Sequence, residues 1–168
     1  ERNDFMKIIK ATEIDKNIID MISNEWMLIT AGDEKGYNMM TASWGGMGEM
    51  WGKDVAVCVV RPQRHTLKFL DNAERFTLSF YGDDKAIHQV CGRKSGKDCN
   101  KTQLTGLIPS YIDGAVTFEQ ANTTIVCRKL YRGQINPDNF IDKSLLSNYT
   151  DGDYHYVFVG EIEKVIIK

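Results

Sequence analysis

The chain has 168 residues, 42% of them hydrophobic and 26% charged, a globular composition with enough apolar material for one buried core. A net charge of -2 and a pI near 5.9 exclude the basic surface that nucleic acid or an anionic membrane would attract, which leaves small-molecule chemistry as the class to consider. No apolar run reaches the roughly 18 residues of a membrane span and no basic-then-apolar signal opens the chain, so a cytoplasmic protein is expected, organised as a single domain over residues 1–168.

In chain order, Ile14, Ile18, Met21 and Ile22 recur at helical spacing, and a short amphipathic helix is expected within residues 11–24. Residues 25–30 and 37–44 read as a hairpin of two strands joined by a turn over 32–36. The second strand sets Asn38, Thr41 and Ser43 among Met39, Met40, Ala42 and Trp44, then runs into Gly45-Gly46-Met47-Gly48. Small polar donors, soft apolar side chains and close backbone approach suit a flat heteroaromatic ligand better than a packed core.

The apolar run 55–60 reads as a strand and residues 66–71 as a helix. Between them stands Arg61-Pro62-Gln63-Arg64-His65-Thr66. Two guanidiniums, a proline-fixed backbone and a hydroxyl able to cap the helix are the equipment for holding a phosphate-sized dianion, with solvated loop arginines as the alternative. A strand near 76–81 follows, then a helix over 83–91 with Gly92 as its stop. The polar loop Lys94-Ser95-Gly96-Lys97-Asp98 is not a nucleotide P-loop. Three residues separate Gly92 from Gly96 where four are needed, and Asp98 replaces the hydroxyl residue after the lysine. Lys97 and the loop amides remain available to another anion.

Residues 115–119, 123–131 and 154–165 read as further strands, with an irregular stretch over 136–153 before the last. Short runs rich in β-branched and aromatic residues, with few helices among them, make the class mainly β and point to a barrel that leaves no exposed edges. The four cysteines, Cys58, Cys91, Cys99 and Cys127, form no CxxC pair and read as free thiols. Of three histidines, His88 reads as structural and His65 as orienting its loop. His155, at the mouth of the last strand, would be a group titrating near neutrality that donates to a cofactor or a hydride donor. GxSxG, HExxH and GxGxxG are absent, so hydrolase, zincin and Rossmann readings lack their basic parts and a bound cofactor is the natural alternative.

Four stretches in register carry a family resemblance: residues 38–45, 61–66, 95–98 and 153–155 with Gly160-Glu161. Over 26–165 the chain resembles the flavin reductase-like family with the FMN-binding split barrel, in its flavoredoxin-like branch. The resemblance implies a six-stranded, Greek-key-like split β-barrel with a few short helices, usually a homodimer, holding FMN non-covalently near the subunit interface. Carried over residue by residue, it implies that Asn38, Met39, Met40, Thr41, Ala42, Ser43 and Trp44 lie along the isoalloxazine and ribityl chain. It further implies that Arg61, Pro62, Gln63, Arg64 and Thr66 form the phosphate turn, that Ser95, Gly96 and Lys97 close over the flavin, and that His155 lies near the ring or the nicotinamide. Prolines common in the family after the first motif are replaced here by Met50-Trp51-Gly52-Lys53-Asp54, on the substrate side. The implied activity is an FMN-dependent oxidoreductase, either an NAD(P)H:flavin reductase or an electron carrier reduced by a redox protein. The alternatives are a flavin-storage module without turnover and a barrel for another phosphorylated ligand.

Overall fold

The β-branched and aromatic runs do become strands. In a computed structural model, which describes residues 6–168, the chain opens with β1 (Lys7–Ile9) and then three unequal helical turns, a 3-10 turn at Ala11–Glu13, α1 (Ile18–Asp20) and a π-helical turn at Met21–Glu25. The continuous amphipathic helix expected over 11–24 is therefore broken. Ile14 is extended, and Asn17 accepts from the amide of Asp20 at 3.0 Å as a fresh N-cap, so only Met21 and Ile22 of the apolar set reach full burial. Trp26, with φ at 68°, turns the chain into the sheet.

The sheet strands follow as β2 (Met27–Asp33), β3 (Gly36–Ala42), β4 (Gly45–Met50) and β5 (Lys53–Val60). Then come α2 (Thr66–Asn72), β6 (Arg75–Phe80), α3 (Ala86–Arg93) and α4 (Lys101–Thr105). The small hairpin β7 (Pro109–Ile112) and β8 (Ala115–Phe118) precedes two twelve-residue strands, β9 (Thr123–Gln134) and β10 (Tyr156–Ile167), separated by 3-10 turns at Pro137–Asn139 and Lys143–Asn148. Gly92 does not stop α3 but sits inside it. A Cβ there would lie 3.3 Å from that of Thr41, so the glycine lets the helix approach β3 closely. Among strands not foreseen, β4 is glycine-rich with little intrinsic β preference, and it forms because its backbone pairs with β5 from Gly45 opposite Cys58 to Met50 opposite Lys53.

The large sheet is antiparallel and ordered β3-β2-β6-β9-β10-β5-β4, with β1 added on β10. This is the mainly β architecture expected, with the short strands β1 and β4 added at its margins. The hydrogen-bonded path is open, not closed. Its two end strands, β3 and β4, are nevertheless consecutive in sequence, joined only through Ser43 and Trp44. Three Cα-to-Cα steps span at most about 11 Å, so the sheet must curl until its ends meet. Gly45 records the closeness: a Cβ on it would lie 2.3 Å from the Val57 carbonyl of β5 and 3.5 Å from the Met27 side chain of β2. The result is a barrel split between β3 and β4.

The curled sheet encloses Phe76, Phe80, Phe158, Leu78, Ile29, Met27, Cys58 and Cys127, all fully or almost fully buried. A Cβ on Gly160 would lie 2.8 Å from the ring of Phe76 and 2.7 Å from Cys127, beside the register shift in the β9–β10 pairing. Its neighbour Glu161 faces outward, accepting from Lys53 and Arg128 at 3.0 Å each. No helix among the described residues is long and apolar enough to cross a membrane.

Candidate functional site

Two clefts adjoin the split. The first, of about 200 Å³, is lined by Met40, Thr41, Ala42, Ser43 and Trp44 from the end of β3, by Val59, Arg61 and Arg64 around the end of β5, and by His155 before β10. Residues more than a hundred positions apart thus meet because β10 pairs with β5, Tyr156 opposite Val60, just where both strands reach the split. The second cleft, of about 540 Å³, is lined by Asn38 and Met39 of β3, His65 and Phe69 around α2, and the loop from Gly96 into α4, including Lys97 and Lys101. Pro62, Gln63, Ser95 and Thr66 line neither.

The clefts meet at the C-terminal end of α3. Arg64, from the first, donates to the carbonyls of Gly92 at 3.0 Å and Cys91 at 2.9 Å. Lys101, from the second and only 4% exposed, donates to Met39 O at 2.6 Å and to the same Cys91 carbonyl at 3.3 Å. Two cations converging on a helix C-terminus complement its dipole. Neither is paired with a carboxylate among the described residues, and burial together with Arg64 pulls the Lys101 ammonium down to about 8. Lys101 was invisible in the sequence, since a lysine opening a short helix is ordinarily solvated.

Arg61 is balanced differently. It donates to Asp153 Oδ2 at 2.9 Å and to Asn148 O at 3.1 Å, and its guanidinium lies 5.0 Å from the Tyr149 ring centroid. Gln63 donates to the same Asp153 oxygen at 2.8 Å, and its bond, with the bond and charge of Arg61, holds that carboxyl below the usual carboxylate range. Thr66 does not cap α2. Its hydroxyl is fully buried and accepts from Asn38 Nδ2 at 2.8 Å, because β3 packs against the start of the helix and leaves a buried amide needing a partner. Ser95 shapes its own loop by accepting from the Lys97 amide at 3.2 Å. A Cβ on Gly96 would lie 2.2 Å from Asn38 Oδ1, so only glycine lets that loop lie against β3.

His155, which lines the first cleft, and His88, behind Thr41, are neutral at pH 7. His155, 6% exposed, has its Nδ1 2.7 Å from the Tyr149 hydroxyl and its ring 5.2 Å from that of Trp44. Burial, then Arg61, pushes it down to about 4, away from the near-neutral titration expected from sequence. His88, 2% exposed, has Nδ1 2.7 Å from the Thr41 hydroxyl and is lowered to about 4 by burial and Lys85. It is structural as expected, yet it also orients a cleft residue.

The model of the flavin reductase like domain family matches residues 20–168. The chain belongs to this family. Flavin-related redox chemistry is thereby the class of its function. Flavoredoxin from Methanosarcina acetivorans is similar in structure at 18% identity and a TM-score of 0.66, over 86% of this chain and 68% of that one. Flavoredoxin of Desulfovibrio vulgaris (Miyazaki F) gives 18% and 0.66 over 95% and 77%. The FMN-binding domain of a flavin reductases-like enzyme from Shewanella baltica OS155 gives 14% and 0.69 over 97% and 77%. At these identities the likeness concerns the fold, a split barrel. No curated protein matches the chain.

Proposed function

We propose that this flavin reductase-like domain binds FMN non-covalently and works as an oxidoreductase, either as an NAD(P)H:flavin reductase or as a flavoredoxin-type electron carrier reduced by a redox protein. The observation that carries this reading is the convergence of residues 40–44, Arg64 and His155 on one cleft beside a second that holds Lys97 and Lys101. FMN pairs a flat ring with a phosphate of about 1.5 to 2 negative charges. The chain supplies Met39, Met40 and Trp44 for the one, and for the other Arg64, Lys97 and Lys101, cations without a carboxylate partner among the described residues. The residues present fit the cofactor.

When bound, FMN supplies hydride and single-electron transfer. The protein's own contribution is to orient and shield. Thr41, fixed by His88, and Ser43 offer hydroxyls to a ring edge, and Trp44, 47% exposed, forms an outer wall. His155 is neutral near pH 7 and serves as an uncharged hydrogen-bonding group. Asn38 and Thr66 hold each other and the floor of the second cleft, while Arg61, Gln63 and Asp153 brace the far wall of the first.

Absorbance of the purified or FMN-reconstituted protein tests the reading. Flavin bands and release of FMN on denaturation are the expected result, and a colourless chain that cannot be reconstituted, or release of FAD, overturns it. Anaerobic mixing with NADH or NADPH separates the two modes, since bleaching marks a reductase and its absence marks a carrier.

The working unit is proposed to be a homodimer in the cytoplasm. β4 is a sheet edge, and Trp44, Met50 and Trp51 beside it are 47%, 45% and 59% exposed, an apolar border that a second copy would cover. Four free cysteines, three of them buried, accord with a reducing compartment. Light scattering that finds only a species near 19.1 kDa counts against the dimer.

A further inference from the structure

The group that fixes His155 lies outside every sequence motif. Tyr149 ends the 3-10 turn Lys143–Asn148 in the irregular stretch between β9 and β10, and its hydroxyl is 2.7 Å from His155 Nδ1 in a buried pair. The phenol ring is held on several sides. Tyr154 lies 4.9 Å away between centroids and Phe140 6.1 Å, and the Arg61 guanidinium lies 5.0 Å from the ring centroid, itself bonded to Asp153. The hydroxyl has no other partner among the described residues.

We propose that Tyr149 is a positioning residue that donates its hydroxyl proton to His155 Nδ1 and thereby locks the imidazole as the Nε2–H tautomer, a fixed uncharged donor facing the first cleft.

The direction follows from the two groups. A phenol is a better donor than a neutral imidazole N–H, and an unprotonated imidazole nitrogen is a better acceptor than a phenol oxygen. The reverse arrangement would leave the phenol proton with nothing to bind in a buried pair. The charged groups around the ring work the same way: Arg61 opposes a second proton on the imidazole, and the carboxylate of Asp153, which would favour one, is already bonded to Arg61 and Gln63. With Nδ1 occupied, Nε2 is the ring nitrogen left for the cleft that His155 lines. A histidine with a free Nδ1 would present a mixture of donor and acceptor there. That the donor serves a flavin or its reductant rests on the function proposed above.

The tautomer is read without any cofactor, by nitrogen NMR of the flavin-free protein labelled at its three histidines, with His155→Gln used to assign the signal. The expected pattern is Nε2 protonated and Nδ1 bare, changing to a mixture of tautomers in Tyr149→Phe while His88 keeps its own pattern. Protonated Nδ1 or a tautomer mixture in the unsubstituted protein overturns the proposal, as does an unchanged pattern in Tyr149→Phe. A coupling across the hydrogen bond between the Tyr149 hydroxyl proton and His155 Nδ1 reports the same direction in the unsubstituted protein should Tyr149→Phe fail to fold, and a proton found on Nδ1 there overturns it. Absorbance after FMN addition is a separate reading: a chain that takes up no flavin removes the role but not the lock, so the two failures are told apart.

Discussion

The two arginines of the basic turn stand three residues apart and have opposite electrostatic fates. Arg61 is neutralised by Asp153 and packed against Tyr149, whereas Arg64 and Lys101 share the carbonyl end of α3 with no carboxylate between them. A compensated guanidinium adds little attraction for an incoming anion, and two uncompensated cations add a great deal. The same hexapeptide thus holds a brace on one side and a charged floor on the other.

The largest effect is expected at the uncompensated pair. Arg64→Ala removes a charge-assisted contact worth roughly 1.5 to 3 kcal/mol, weakening FMN about tenfold to a hundredfold while riboflavin, lacking the phosphate, loses far less. Because Arg64 also holds the Cys91 and Gly92 carbonyls, the flavin-free protein should melt at a lower temperature too. Titration with both flavins reads the outcome, and equal losses for the two would remove Arg64 from any phosphate site. Arg61→Ala should narrow the gap between FMN and riboflavin much less. If it narrows that gap as strongly as Arg64→Ala, the contrast between the arginines fails.

Next in size is Lys101→Met, which orphans the Met39 carbonyl and costs about 1 to 3 kcal/mol in urea unfolding. Its pH dependence sharpens the contrast. The ammonium titrates at about 8 when folded and near 10.5 when unfolded, so between those values the unfolded chain binds the extra proton and stability rises with pH. That rise should be missing in Lys101→Met, and a wild-type curve that runs parallel to the mutant's from pH 8 to 10 would show that the buried charge carries no such strain.

A smaller effect belongs to the histidines on the compensated side and behind Thr41. Unfolded, His155 and His88 protonate near 6.5, but folded they resist until about 4, so stability is lost as pH falls from 6.5 towards 4. His88→Gln should flatten that acid limb, and an unchanged slope would mean that the ring is already charged in the folded state. The least effect is expected from Trp51→Ser, on the apolar border of β4: little change in FMN affinity, with a larger dimer dissociation constant by sedimentation.

Sequence patterning by itself determined the longer strand runs, the turn-helix of the basic stretch and the family, because alternation, β-branched content and motif spacing are local or ordered along the chain. It also brought Met40 to Trp44, Arg61, Arg64 and His155 forward as candidates for one place. Tertiary structure decided what those groups can do. Nothing local marks Lys101 for burial, Asp153 as the counter-ion of Arg61 or Tyr149 as the partner of His155. The pairing of β5 with β10 and the curl of the sheet bring together groups more than a hundred residues apart, and only there do burial and neighbouring charge set the protonation of His155 and Lys101. Charge compensation and desolvation are properties of three-dimensional neighbourhoods, so a linear pattern can name the ionisable groups but cannot assign their states.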